Sequence, residues 1–179
     1  MRKRKQSGFS LIELLIVVAV ILVIVAIAVP SYLAAVRSTN ETAAAANLKT
    51  MIADANTYLG HQKVLPATAS AMSGAGTVTT TASACASDGE LNTLQATAWD
   101  AGFTTNGYQY KWLSGGATVT SPLGCTGNTL VEATAIPATV SGGSVSFCAD
   151  QTGEFELAGT GTVASGAGCS TDGYTVAVQ

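Results

Sequence analysis

The segment that decides the fold is Gly8-Phe9-Ser10-Leu11-Ile12-Glu13, followed by LLIVVAVILVIVAIAV over residues 14–29 and then Pro30. The 16 residues after Glu13 are all apolar, and counting from Phe9 the run is 21 residues. As a helix that run spans roughly 30 Å, the thickness of a bilayer hydrocarbon core. Arg2, Lys3, Arg4 and Lys5 stand just before it. Such a cluster stays on the cytoplasmic side and sends the rest of the chain outward.

Three kinds of segment share this pattern. A secretory signal would be cut near Ala26-Ile27-Ala28, an A-x-A site. A plain anchor would stay uncut. A third kind is cut before the apolar run, which then remains on the mature chain. Glu13 separates them. A carboxylate within an apolar span costs on the order of 2–3 kcal/mol, and a signal or a simple anchor has no use for it. Cleavage after Gly8 would free the α-amino group of Phe9 as a positive partner. Glu13 lies one helical turn from Phe9, so the two pair within one subunit or between neighbours. Between neighbours the pair becomes a register device, because a subunit out of register leaves a buried charge unpaired.

With a short basic leader ahead of it, Gly8-Phe9-Ser10-Leu11-Ile12-Glu13-Leu14 resembles the class III signal of type IV pilins and pseudopilins. The resemblance covers residues 1 to about 60 strongly and the remainder weakly. It implies an α+β fold: a long N-terminal helix, half transmembrane and half amphipathic, packed on a C-terminal antiparallel sheet. It implies cleavage between Gly8 and Phe9 and N-methylation of Phe9 by a prepilin peptidase, and assembly into a helical homopolymer through Phe9 and Glu13. The implied partners are further copies of the chain, the peptidase/methyltransferase, an inner-membrane assembly machinery, and the membrane itself before assembly. The implied location is the inner membrane, single-pass with the C-terminal domain outside the cytoplasm, and then a surface pilus. A type IV pilus subunit is the leading reading and a type II secretion pseudopilin the alternative. No cofactor, metal or catalytic residue is expected.

The organisation expected from this is a leader over 1–8, a transmembrane or filament-core helix over 9–36, and an amphipathic helical half over 37–60. A connector over 61–101 and a sheet region over 102–179 follow. Pro30 removes a backbone donor and crowds the preceding turn, so a kink is expected there, because helical character resumes at once. Leu48, Ile52, Ala55 and Leu59 recur as one stripe, with Glu41, Asn47, Lys49 and Asp54 on other faces. Gly60 reads as the helix C-cap. The connector reads as mostly irregular, with a short helix near 89–99. Strands are expected at 107–112 (GYQYKW), with Tyr108, Tyr110 and Trp112 on one face, and at 130–136, 144–149 and 154–157, with a late one at 174–178. Asp150-Gln151-Thr152-Gly153 reads as a tight hairpin turn.

Charged residues make up only 11% of the 179 positions, against 47% hydrophobic, which excludes wholesale disorder. Half of the eight basic residues precede Gly8, so the rest of the chain sets four against eleven acidic ones. No basic stripe remains for phosphates, which excludes a sequence-specific nucleic-acid reader. Cys85, Cys125, Cys148 and Cys169 form no C-x-x-C pair and stand with a single histidine, which argues against zinc and for two disulfides in an oxidising compartment. Spacing leaves three connectivities open. The resemblance favours Cys148–Cys169 with Cys85–Cys125, since pilin-like folds tie the sheet to the C-terminal segment.

Other chemistry reads as background. His61 is expected to be an exposed histidine past a helix end rather than a catalytic base. Asp88, Glu90, Asp150, Glu154, Glu156 and Asp172 read as solubilising charge, ahead of a carboxylate pair or a calcium loop at Asp150, Glu154 and Asp172. Asn40-Glu41-Thr42 matches a glycosylation acceptor but falls mid-helix. Phe9, Tyr32 and Tyr58 read as packing residues rather than an electron path.

Overall fold

The computed structural model describes residues 9–73, 93–139, 142–152, 155–159, 169 and 175–176. The chain divides into two compact units, Met1–Val36 and Arg37–Gln179. Helix α1 (Leu11–Gln62) begins in the first and ends in the second, with Pro30 inside it. The fold is α+β and pilin-like: a long N-terminal helix followed by an antiparallel sheet.

In the first unit every side chain from Phe9 to Ala35 is exposed. This segment of α1 is long and apolar enough to cross a membrane. Its leucines, isoleucines and valines have no protein core of their own to enter.

In the second unit α1 becomes amphipathic. Ala44, Leu48, Met51, Ile52, Ala55, Tyr58 and Gln62 are buried. Leu48, Ile52 and Ala55 are members of the expected stripe, and Leu59 packs partly buried at its edge. Gly60 does not cap the helix. α1 runs on to Gln62, and Lys63 takes the left-handed turn with φ 62°. The Lys63 N–H donates to the Leu59 carbonyl at 2.9 Å, and its ammonium reaches the Gly60 carbonyl. A lysine tolerates this strained position because its charge sits among the helix's free carbonyls, at the negative end of the dipole.

Among the described residues of the connector, a 3-10 turn spans Ala69–Ser73, and α2 spans Thr93–Ala101, where a short helix near 89–99 is expected. The Asp100 carboxylate accepts the backbone N–H groups of Ala69 (2.6 Å) and Ser70 (2.9 Å), so α2 caps the turn across a gap of some thirty residues.

The sheet has six antiparallel strands in chain order: β1 (Phe103–Thr105), β2 (Tyr108–Thr120), β3 (Thr126–Pro137), β4 (Val145–Asp150), β5 (Phe155–Gly159) and β6 (Thr175–Val176). β1 is an addition to the expected set, and Gly107 lies in a turn rather than a strand. Asn106 (φ 50°) and Gly107 (φ 75°) form a two-residue connection, with Thr105 registered opposite Tyr108. Both central residues of such a turn need positive φ, which Asn-Gly supplies. β2 and β3 also run far beyond the apolar runs that announce them, through a register shift between Gly115 and Thr118. There Gly116 (φ 73°) turns the strand, and the Ala117 N–H finds the Thr129 hydroxyl at 2.9 Å. The Ser121–Cys125 turn closes the hairpin, the Ser121 N–H donating to the Cys125 carbonyl at 2.7 Å.

The core lies between α1 and one face of the sheet. Tyr108, Tyr110 and Trp112 alternate inward on β2, as their spacing predicts. On β3 small residues face them: Tyr110 is registered with Ala135 and Trp112 with Ala133. Large opposite small lets the layer interdigitate without voids. Trp99 and Phe103 join Tyr110, with ring centroids 5.5 and 5.0 Å from it. The opposite face of the sheet also carries buried side chains, Glu132, Thr134, Ser146 and Cys148. A disulfide joins Cys148 to Cys169 there.

Candidate assembly and processing site

Gly8 lies outside the described residues. Phe9 precedes the helix and is 81% exposed. Ser10 is the N-cap: its carbonyl accepts the Glu13 N–H at 3.1 Å and the Leu14 N–H at 3.3 Å. The Glu13 carboxylate turns back and accepts the Ser10 backbone N–H at 2.9 Å. This is the carboxylate arm of a capping box, Ser-x-x-Glu, which satisfies a donor the helix cannot reach. The acid also sits at the positive end of the helix dipole. The Ser-x-x-Glu spacing is itself a sequence signal for a helix start, which the apolar context of Glu13 masks.

The remaining residues singled out by sequence are dispersed. Pro30 lies within α1 and Tyr32 is exposed. Tyr58 is part of the core. His61 is exposed in the last turn of α1. Asp150 accepts the backbone N–H and the hydroxyl of Thr152, closing the turn after β4. Cys125 is buried and disulfide-bonded, while Cys85 lies outside the described residues. Asp88, Glu90, Glu154 and Asp172 also lie outside them, as does the side chain of Glu156. Among the described residues no three His, Cys, Asp or Glu side chains gather as a metal site.

Asn40 and Glu41, two residues of the glycosylation-acceptor pattern, clamp the helix to a loop more than a hundred residues away. Asn40 Nδ2 donates to the Gly142 carbonyl at 3.2 Å. Glu41 Oε1 accepts both the N–H and the hydroxyl of Ser144, each at 2.8 Å. Gly142 and Gly143 are required here: a Cβ at 142 would fall 2.2 Å from the Gly107 carbonyl oxygen, and one at 143 would fall 2.1 Å from the Tyr108 hydroxyl. That hydroxyl donates to the Val145 carbonyl at 2.8 Å. Burial, then the Glu41 charge, pushes the Tyr108 phenol well above its ordinary range, and burial raises Tyr110 as well.

The prokaryotic N-terminal methylation motif matches residues 3–29. The chain therefore carries the class III leader of type IV pilins and pseudopilins. That leader is of the kind carried by type IV pilin and pseudopilin precursors. It implies processing by a prepilin peptidase and assembly into a polymer, and with the apolar helix it points to membrane insertion. No curated protein and no solved structure matches the chain.

Proposed function

We propose that this chain is a structural subunit of a type IV pilus. The observation that carries the reading is the methylation motif continuing into an apolar helical segment that the protein leaves wholly exposed, with one carboxylate in its first turn. A prepilin peptidase cuts between Gly8 and Phe9, and Phe9 is then N-methylated. The processed subunit waits in the inner membrane with its sheet domain outside the cytoplasm. An assembly machine then moves the apolar segment from lipid into a filament core. Lipid and core are both apolar, so the transfer itself has little hydrophobic cost, and the Glu13–Phe9 amine pair supplies register. Pro30 bends the segment, and a Cys85–Cys125 disulfide complements Cys148–Cys169. A low-charge, disulfide-tied head suits a fibre exposed to the medium, which favours a pilus over a secretion pseudopilin.

Mass spectrometry of subunits from sheared surface filaments tests this. The expected chain starts at N-methyl-Phe9. A mature chain starting at Val29 would mean an ordinary signal peptide and would end the pilin reading.

A further inference from the structure

Glu13 faces a difficulty before it can act in any filament. In the uncleaved chain the Phe9 nitrogen is an ordinary backbone amide and carries no charge, so the amine proposed as the partner of Glu13 does not yet exist. The carboxylate nevertheless belongs to a helix suited to a membrane. An ion without hydrogen-bond donors in an apolar phase is strongly disfavoured.

We propose that the chain's own N-cap holds Glu13 through this interval, and that processing hands the carboxylate from one partner to the next. The holding partner is the Ser10 backbone N–H, 2.9 Å from Glu13 Oε2. One bond meets two needs: it occupies the carboxylate, and it satisfies an N–H the helix leaves orphaned at its start. Because the acceptor is charged, the bond is roughly twice as strong as a neutral one. Cleavage then creates the second donor one residue away, at Phe9. With the donors adjacent in the chain, the carboxylate passes between them by side-chain rotation, without an unpaired interval. This deepens the function proposed above and rests on it for the second partner only. It assigns the Ser10 backbone N–H a positioning role and gives the three-residue spacing from Ser10 to Glu13 a meaning that the amine alone does not require.

The test uses the full-length precursor in detergent micelles, as wild type, Glu13→Gln and Glu13→Val. Glutamine keeps an acceptor that serves in capping boxes and loses the charge. Valine loses both. Amide exchange at Ser10 is read by NMR as a ratio to the neighbouring Phe9 amide, which shares its depth. Glu13→Gln is expected to protect Ser10 about fivefold, the scale of a single neutral cap, wild type more strongly than that, and Glu13→Val to abolish the protection. Equal ratios in wild type and Glu13→Val, or loss of protection in Glu13→Gln, overturn the holding role. Filament counts in cells read the other half. Glu13→Gln that holds Ser10 but makes few filaments supports the handover, and Glu13→Gln that makes normal filaments refutes the amine partner while leaving the cap in place.

Discussion

The two halves of helix α1 have nearly the same backbone and opposite relations to their surroundings. From Leu11 to Ala35 every side chain is exposed, although nearly all are apolar. From Ala44 to Gln62 the helix is richer in polar residues, yet seven of its side chains are buried. Burial therefore does not follow from how apolar a segment is. The first half is uniformly apolar and offers no preferred face, which suits a medium present on all sides, such as lipid or a ring of identical helices. The second half has a single apolar stripe and so needs a single partner, which the sheet provides.

The sharpest way to break that comparison is Glu13→Val. The first half should lose assembly while the second stays folded. Removing the acid leaves the incoming Phe9 amine unpaired in an apolar core, which costs roughly 3–5 kcal/mol at each added subunit. Immunoblots should show normal amounts of processed, membrane-held protein, and electron microscopy few or no filaments. Normal filament numbers would remove Glu13 from assembly.

Trp112→Ala should do the reverse. Trp112 is 4% exposed and sits on the core face of β2. Truncating a buried tryptophan costs about 3–5 kcal/mol. The urea midpoint of the detergent-solubilised protein should fall, with loss of protein in cells and intact cleavage of whatever remains. A midpoint within error of wild type would mean that the aromatic face of β2 does not carry the core.

A smaller effect is expected at high pH. Tyrosines ordinarily titrate near 10.0, and both Tyr108 and Tyr110 are raised above that in the fold. Above that value the unfolded chain releases protons that the native state keeps, so stability is full below pH 10.0 and declines as pH rises past it. Chemical denaturation followed from neutral into the alkaline range should show this decline, and Tyr108→Phe should flatten it while leaving the sign unchanged. A slope identical in Tyr108→Phe would assign the alkaline loss to other groups.

Much of this was legible before any coordinates. The leader and the apolar run rest on a local motif and on composition, while the α1 stripe at Leu48, Ile52 and Ala55 and the inward alternation of Tyr108, Tyr110 and Trp112 rest on periodicity. Periodicity is a local property, set by 3.6 residues per helical turn and two per strand repeat. Two further local signals lie in the sequence, the Ser10-x-x-Glu13 spacing and Asn106-Gly107.

What only the tertiary structure decided lies between residues far apart in sequence. Glu41 holds Ser144, Asp100 caps the turn at Ala69, and Gly142 must be bare because the Gly107 carbonyl lies against it. The extension of β2 and β3 past their apolar runs is of the same kind, since each strand supplies the other's hydrogen bonds through weak strand formers such as Gly115, Gly127 and Asn128. The sequence by itself determined which faces are apolar, where a charge stands among them, and where the chain turns. Which distant group meets each face depended on closing loops of tens to a hundred residues, a free energy shared by the whole fold and written in no single segment.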